Sequence, residues 1–163
     1  MTDPSRPATS RVPTPEPGAG PRPSLGVLLF IPGRHLEQRI LGAVHEAGYP
    51  ITLAQARIAQ RIDDGGSRLT RLAEASQVTK PTAGYLVDQL EKAGYVERVP
   101  DPRDARARLV RFTAEGRSVI AIARTAQDAI EQEWREHLGA ERTRALVETL
   151  ADLRTITDPY LED

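Results

Sequence analysis

The chain has 163 residues, of which 39% are hydrophobic and 28% are charged, and its formal net charge at pH 7 is −1. It contains no cysteine, which excludes a disulfide framework, a thiolate metal site and a thiol redox switch. This length predicts one domain with tails, and no apolar run approaches the roughly 20 residues of a membrane span.

Positive charge is concentrated in one part of the sequence. Residues 68–111 carry nine Lys or Arg against six Asp or Glu, whereas residues 112–163 carry six against eleven. A nucleic acid responds to the local field of a protein surface, so the overall charge does not exclude DNA binding.

The first 23 residues are rich in Pro, Ser and Thr and contain almost nothing to bury, which predicts a disordered tail. Its arginines, Arg6, Arg11 and Arg22, leave a DNA contact open, but a solvated arm is the favoured interpretation. The apolar residues 25–31 lack a small-residue cleavage site and a basic flank immediately before them. No signal peptide is therefore expected, and the predicted location is cytoplasmic.

Residues 24–51 predict the first helical region. The Pro32-Gly33 pair should break or kink this region, because proline removes a backbone hydrogen bond. Beyond it, residues 34–47 form an apolar stripe with Leu36, Ile40, Leu41 and Val44.

A second helix is predicted at residues 52–62 and a loop at 63–67. The next two helices are separated by a tight turn. The first, at residues 68–75, has an apolar face, and Gln77-Val78 forms the turn. Thr79 is a candidate N-cap, and Pro81 lies in the following first turn, where its missing N–H costs nothing.

The helix that begins at Thr79 has two distinct faces. Its apolar positions are Ala83, Leu86, Val87 and Leu90, and Gly94 is suited to end it. Its outward positions are Lys80, Thr82, Tyr85 and Gln89. Near the start of the helix, Lys80 and Thr82 suit contacts with phosphates or base edges.

The pattern then changes from helical to alternating. Residues 95–99 and 109–112 predict two strands, joined by an arginine-rich loop at residues 100–108. A short strand near Arg68-Leu69 could pair with this ribbon. A helix-turn-helix followed by a ribbon with a basic tip is a winged helix, which places one helix in the DNA major groove.

The C-terminal third predicts two more helices. Thr113 is a candidate N-cap for a long helix at residues 114–137, and a last helix follows at 141–155. Their apolar stripes exceed what so small a winged-helix core can cover, which favours a homodimer over an intrachain bundle.

The stretch LAEASQVTKPTAGYLVDQLEKAGYVERVPDPRDARARLVRFTAEG resembles the MarR family of bacterial winged-helix transcription regulators. The LAE helix, the LEKAGYVER run and the Asp-x-Arg ribbon occur in the family's order, and the resemblance extends over roughly residues 25 to 155. It implies a mainly α fold with a small β-wing. The winged helix-turn-helix would occupy residues 52–113, with dimerisation helices at 24–51 and 114–163.

The resemblance also implies a function. Such a protein would be a sequence-specific transcriptional regulator, more often a repressor, that binds a pseudo-palindromic operator on double-stranded DNA as a homodimer. In the family, an arginine at the position of Arg106 reaches the minor groove, held by an aspartate at the position of Asp104. The predicted DNA-binding residues are Arg68, Lys80, Pro81, Thr82, Tyr85, Gln89, Arg103, Asp104, Arg106 and Arg108.

Two positions depart from the family pattern. Family members often carry a polar residue and an arginine where this chain has Gly84 and Tyr85. Glycine weakens a helix interior but permits close approach to DNA. Base readout by this chain could therefore be unusual or weaker.

The resemblance further implies a small-molecule effector, an aromatic acid or another lipophilic anion, bound between the dimerisation helices and the DNA-binding lobe. The expected lining residues are Leu36, Ile40, Ile58 and Ile120. Occupancy would favour a dimer whose recognition helices no longer match the groove spacing.

Other functions find little support in the sequence. The histidines His35, His45 and His137 have no metal-ligand spacing, so neither a metal nor a cofactor is expected. No nucleophile motif, phosphate-binding loop or carboxylate pair indicates an enzyme. The alternative that remains is a winged helix that binds a partner protein and not DNA.

Overall fold

The computed structural model describes residues 22–158. The predicted tail, residues 1–23, therefore lies almost entirely outside the described residues. In chain order the elements are α1 (Leu25–Glu46), α2 (Leu53–Ala59), β1 (Ser67–Arg68), α3 (Leu69–Ala75), α4 (Lys80–Lys92), β2 (Val96–Asp101), β3 (Asp104–Phe112), α5 (Ala114–Leu138) and α6 (Ala140–Thr157).

The main core lies between α2, α3, α4 and the sheet. The apolar faces predicted for these helices form it, and Ile58, Leu72, Val87 and Val110 are almost fully buried. Leu86, predicted to be buried with them, packs at the edge of this core and is only partly covered. This core holds the helix-turn-helix and the sheet together as one unit.

The turn between α3 and α4 follows the local prediction. Gln77 takes a positive φ of 54°, which reverses the chain, and Thr79 Oγ1 then accepts a hydrogen bond from the Thr82 amide at 3.3 Å. Pro81 lies in the first turn of α4, and Gly94, with φ of 82°, follows its end. Each of these residues satisfies or removes a backbone group that a helix end leaves unpaired.

The second helix is shorter than predicted. It ends at Ala59 and not at Ile62, because the Arg61 and Ile62 amides bond to the carbonyls three residues back, at 3.1 and 3.0 Å. Its start is fixed by Thr52 and Gln55, whose side chains each accept a hydrogen bond from the other residue's amide.

The three strands form an antiparallel sheet in the order β1-β3-β2. The predicted long loop at residues 100–108 is wrong, because both strands continue almost to the tip and leave only Pro102-Arg103 between them. Pro100 pairs with Arg108, and the Asp101 carboxylate accepts a hydrogen bond from the Arg103 amide at 2.9 Å. The predicted contact between a short strand and the wing is confirmed by β1, which pairs with β3.

Of the break or kink expected at Pro32-Gly33, the break does not occur, because α1 is continuous from Leu25 to Glu46. Proline removes the amide that would bond to the Leu28 carbonyl and crowds that carbonyl, yet the helix continues on both sides of it. Ser24 supports the start of the helix by accepting a bond from the Val27 amide at 3.4 Å.

Helix α5 begins at the predicted cap, where Thr113 Oγ1 accepts from the Gly116 amide at 3.1 Å. It packs against α1 around a second cluster of Val44, Ile51 and Val119. Gly139, with φ of 81°, separates it from α6. None of the helices within residues 22–158 is long and apolar enough to span a bilayer.

Candidate nucleic-acid interface

The predicted recognition face lies on α4, which the core holds from behind. Lys80, Pro81, Thr82 and Tyr85 are exposed, and Tyr85 is 63% accessible despite its large aromatic ring. Gln89, two turns further on, is half-buried. The first two turns of α4 therefore offer most of the accessible surface for a groove.

Gly84 lies on a different side of α4. A Cβ atom added there would meet only Leu69 Cδ2 of α3, at 3.8 Å, which is an ordinary contact. Its absent side chain therefore faces the neighbouring helix, and the structure gives no reason to link it to close approach by DNA.

The wing arginines lie on the ribbon itself and not on a mobile loop. Arg103 is at the turn, whereas Arg106 and Arg108 are two residues apart on β3 and therefore share a face. All three side chains are exposed.

The ion pairs separate the cations of this region into two groups. Arg98 pairs with Asp88 and Glu91, and Arg111 pairs with Glu97. Within the part of the chain that the structure describes, no carboxylate pairs with the exposed cations Lys80, Arg103, Arg106 and Arg108. The charge of Arg103 acts on the nearby Asp101 carboxyl and helps to lower its pKa, whereas the charges of Lys80, Arg106 and Arg108 are available to an anionic partner.

The contact implied for Asp104 and Arg106 takes a different form. Asp104 Oδ1 accepts a hydrogen bond from the Arg106 backbone amide at 3.1 Å, and no ion pair joins the two side chains in residues 22–158. The aspartate therefore fixes the backbone at Arg106 and leaves its guanidinium free to reach outward.

Arg68 does not share this freedom. Its Nε donates to Asp101 Oδ2 at 2.8 Å, and Nη2 lies 2.6 Å from the same oxygen and 3.6 Å from Asp104 Oδ2. Asp101 is only 5% exposed. Hydrogen bonds from the Arg103 amide and the Arg68 guanidinium hold the pKa of the Asp101 carboxyl below its usual range.

Sequence reasoning missed this pair. A signal was present, because α3 begins after an arginine, where Ser, Thr, Asp or Asn usually caps a helix. Indeed, no side-chain cap is formed at Arg68. The partners are 33 positions apart in the sequence, which hid the contact from any local pattern.

A cavity of about 440 Å³ lies between α1, α5 and the base of the ribbon. Leu36 and Ile40 of α1 and Ile120 of α5 line it, and Tyr95 and Phe112 contribute the side next to the ribbon. The prediction for Ile58 is not met, because this residue is 0% exposed in the main core and is not part of the cavity wall. Its helical position was read correctly, but it faces α4 and the sheet. The polar groups of the wall are Glu37, Gln60, Asp64, Arg124 and Gln127.

No group of three potential metal ligands occurs within residues 22–158. His45 Nε2 lies 2.7 Å from the Ile51 carbonyl oxygen, which is a structural contact between α1 and the next segment.

Comparison with known proteins identifies relatives of this winged helix. Residues 49–107 match the sequence model of the MarR family. The transcriptional regulator HosA of Escherichia coli O111:H- is 35% identical over 79 residues, which are 48% of this chain and 58% of HosA. The transcriptional activatory protein BadR of Rhodopseudomonas palustris is 34% identical over 93 residues, 57% of this chain and 52% of BadR. The match thus spans little more than half the length of these relatives.

Solved structures extend the similarity to the flanking helices. The transcriptional repressor CouR, bound to a 23-mer DNA duplex, has a TM-score of 0.64 at 26% identity, with 80% of this chain and 92% of that chain covered. Apo MarR from E. coli has a TM-score of 0.66 at 22% identity, with 82% and 98% covered, which shows a shared fold.

Proposed function

Because the chain belongs to the MarR family, we propose that it is a transcriptional regulator that binds a pseudo-palindromic DNA operator as a homodimer. The observation that supports this most directly is the set of unpaired cations, Lys80, Arg103, Arg106 and Arg108, beside the exposed face of α4. The structural relative CouR is described as a repressor bound to a DNA duplex.

The proposed contacts follow from the positions of the side chains. In the major groove, Thr82, Tyr85 and Gln89 would contact base edges or sugars, and Lys80 would contact phosphate. Pro81 would hold the first turn of α4 close to the backbone without needing a hydrogen-bond partner for an amide.

The wing would act beside the recognition helix. Arg106 would enter the minor groove, where narrow A·T-rich segments attract guanidinium groups, and Arg103 and Arg108 would flank it near phosphates. Asp104 would support Arg106 through its backbone amide.

The homodimer is proposed from uncovered apolar surface. The first two turns of α1 and one side of α6 expose large hydrophobic residues, which a single chain of this size does not normally leave in water. A two-fold dimer would place its two recognition helices about 34 Å apart, in successive major grooves. The dimerisation helices would be those of residues 24–51 and 114–163, and the DNA-binding domain residues 52–113.

The effector is proposed to bind in the cavity between α1, α5 and the ribbon. Its apolar wall, including Leu36, Ile40 and Ile120, suits a lipophilic ring, and Arg124 offers a cation to an acidic group. Since Phe112 ends β3 and Tyr95 immediately precedes β2, occupancy of the cavity would bias the orientation of the wing. We propose that the apo dimer represses transcription and that an aromatic carboxylate releases it.

The test is fluorescence anisotropy with a labelled duplex taken from DNA upstream of the protein's own gene, at two salt concentrations. Wild type is expected to bind with an affinity that falls steeply with salt, because phosphate contacts release counterions. Arg106→Ala should weaken binding by roughly ten- to hundredfold. Arg142→Ala, which removes an exposed arginine of α6, is the matched control and should bind like wild type.

Two further arms of the assay test the finer points. An aromatic carboxylate such as salicylate should release the duplex, and transcription from the same promoter in vitro should fall with added protein and recover with the ligand. If wild type binds this duplex and a panel of candidate operators no better than random DNA, regulation through DNA is refuted. The winged helix would then be a protein-interaction module, for which Arg106 should be neutral.

A further inference from the structure

Arg68 occupies a position where a helix usually begins with a capping side chain. It is the N-cap residue of α3, and α3 lacks a side-chain cap there. An arginine side chain cannot accept hydrogen bonds from the free amides of a first helical turn, because its guanidinium group is only a hydrogen-bond donor. The position therefore forgoes a local stabilisation that Ser or Thr would supply.

The Arg68 side chain instead crosses to the tip of the ribbon. Both of its contacts with Asp101 are within 2.8 Å, and the carboxylate is almost fully buried. The other oxygen of Asp101 accepts from the Arg103 amide, and Asp104 lies 3.6 Å from the same guanidinium. One side chain of the helix-turn-helix thus contacts the last residue of β2 and the first residue of β3.

This contact supports the part of the ribbon that β1 does not reach. The strand β1 pairs only with Leu109 and Val110 of β3. The tip beyond them, residues 100–108, has no third strand, yet it carries all three wing arginines. The Arg68 side chain extends the attachment of the ribbon to this tip.

We propose that Arg68 and Asp101 form a clamp that positions the wing arginines relative to the recognition helix, so that Arg68 acts through the wing and does not itself contact DNA. The charge of Arg68 is already matched by Asp101, unlike that of Arg106 or Arg108. This inference rests on the proposed binding of duplex DNA.

Asp101→Asn separates the two possible roles of Arg68, because the two roles predict opposite changes in DNA affinity. If Arg68 contacts phosphate, removing the nearby negative charge frees it and binding should stay equal or tighten. If the pair is a clamp, the loss of the charge-assisted bonds loosens the tip and binding weakens. The amide oxygen of asparagine can still accept from the Arg103 amide, so the turn itself is retained.

The first experiment measures duplex affinity by anisotropy for Asp101→Asn and Arg68→Ser. Serine supplies the missing cap, so the second variant keeps its fold. Each variant should bind the duplex at least about threefold more weakly than wild type. When the same substitutions are made in Arg106→Ala, the further loss of affinity should be within about twofold of Arg106→Ala alone. The matched control is Glu97→Gln, which also removes one acidic partner of an arginine on the ribbon but lies away from the tip. It should bind as well as wild type or better.

The second experiment needs no DNA. Amide hydrogen exchange at Arg103 and Arg106 in free Arg68→Ser should be several-fold faster than in wild type, while the amides of the main core keep their wild-type protection. Binding by Asp101→Asn that equals or exceeds wild type, or exchange at the tip that stays unchanged, would overturn the clamp. Failure of wild type to bind any duplex would refute the proposed function alone, since the exchange data still decide whether the clamp exists.

Discussion

At the scale of single residues, the arginines near the wing differ in what their charges already contact. Arg68, Arg98 and Arg111 each lie against a carboxylate, whereas the guanidinium groups of Arg106 and Arg108 form no ion pair in the described part of the chain. Identical residue types therefore have different capacities to bind an anion. The overall count of basic residues could not make this distinction.

Gly84→Ala should raise the free energy of unfolding by roughly 0.5–1 kcal/mol, because alanine favours a helix interior and restricts the unfolded chain. The added methyl would only touch Leu69, and the backbone at residue 84 has no positive φ. Urea denaturation measures this, and duplex affinity should not change.

Gly116→Ala is the opposing control, because its Cβ would lie 2.0 Å from the Tyr95 carbonyl oxygen. It should lower the free energy of unfolding by about 1–3 kcal/mol. A destabilised Gly84→Ala protein, or one that binds DNA much more weakly, would show that residue 84 is close-packed or approaches DNA after all.

At the scale of elements, polar contacts join α1 to the rest of the protein. Glu37 of α1 accepts two hydrogen bonds from Arg57 of α2, both at 2.9 Å, and Arg39 of α1 pairs with Glu133 of α5. The first contact links α1 to the DNA-binding lobe and the second links α1 to α5. Glu37 also lines the proposed effector cavity.

Glu37→Gln should lower the free energy of unfolding at pH 7 by roughly 0.2–1 kcal/mol, the usual worth of an exposed pair. The hydrogen bond from Arg57 lowers the pKa of the Glu37 carboxyl below 4.5. A carboxyl whose pKa is lowered in the folded state stabilises the protein at pH values above its ordinary pKa. This stabilisation is lost as the pH falls through the folded-state pKa. The difference between variant and wild type should therefore shrink as the pH falls below 4.5.

Urea titrations at pH 7 and at successively lower pH measure this trend. Glu46→Gln, at an exposed position of the same helix, should show no comparable pH-dependent loss. A Glu37→Gln deficit that persists unchanged into acid would mean that the side chain stabilises α1 by packing and not by its charge.

At the scale of the whole molecule, the chain leaves an unusual amount of apolar surface in water. Leu25 is 68% exposed and Ile156 83%, and α6 has no fully buried residue. The exposed positions at the start of α1 are consecutive, so they lie on all sides of the helix. A helix that is apolar all round is stable in water only when other elements surround it.

Leu28→Glu should therefore convert the proposed homodimer into a monomer, because it places a charge within this surface. Light scattering after size exclusion would measure the mass, which for wild type should be twice that of the chain. Operator affinity should fall with the loss of the second half-site contact.

Gln38→Glu adds the same charge at an exposed polar position of α1 and should remain dimeric. Wild type that is monomeric at micromolar concentration would refute the dimer and leave the apolar surface to another partner.

Local sequence patterns were enough to predict the elements whose causes lie within a few residues. Thr79 and Thr113 cap their helices as predicted, Gly94 ends α4, and the apolar spacing of α4 placed Lys80 and Tyr85 on its outer face. These features depend on residues within a few positions of each other, so a pattern along the chain is enough to find them.

The three-dimensional structure revealed the remaining features. It extended the ribbon through residues predicted as a loop, carried α1 through Pro32, placed Ile58 in the core and paired Arg68 with Asp101. The ribbon, the core position of Ile58 and the clamp depend on partners far away in sequence. Local propensity is weak compared with such contacts, and it cannot say which distant residue a side chain will meet.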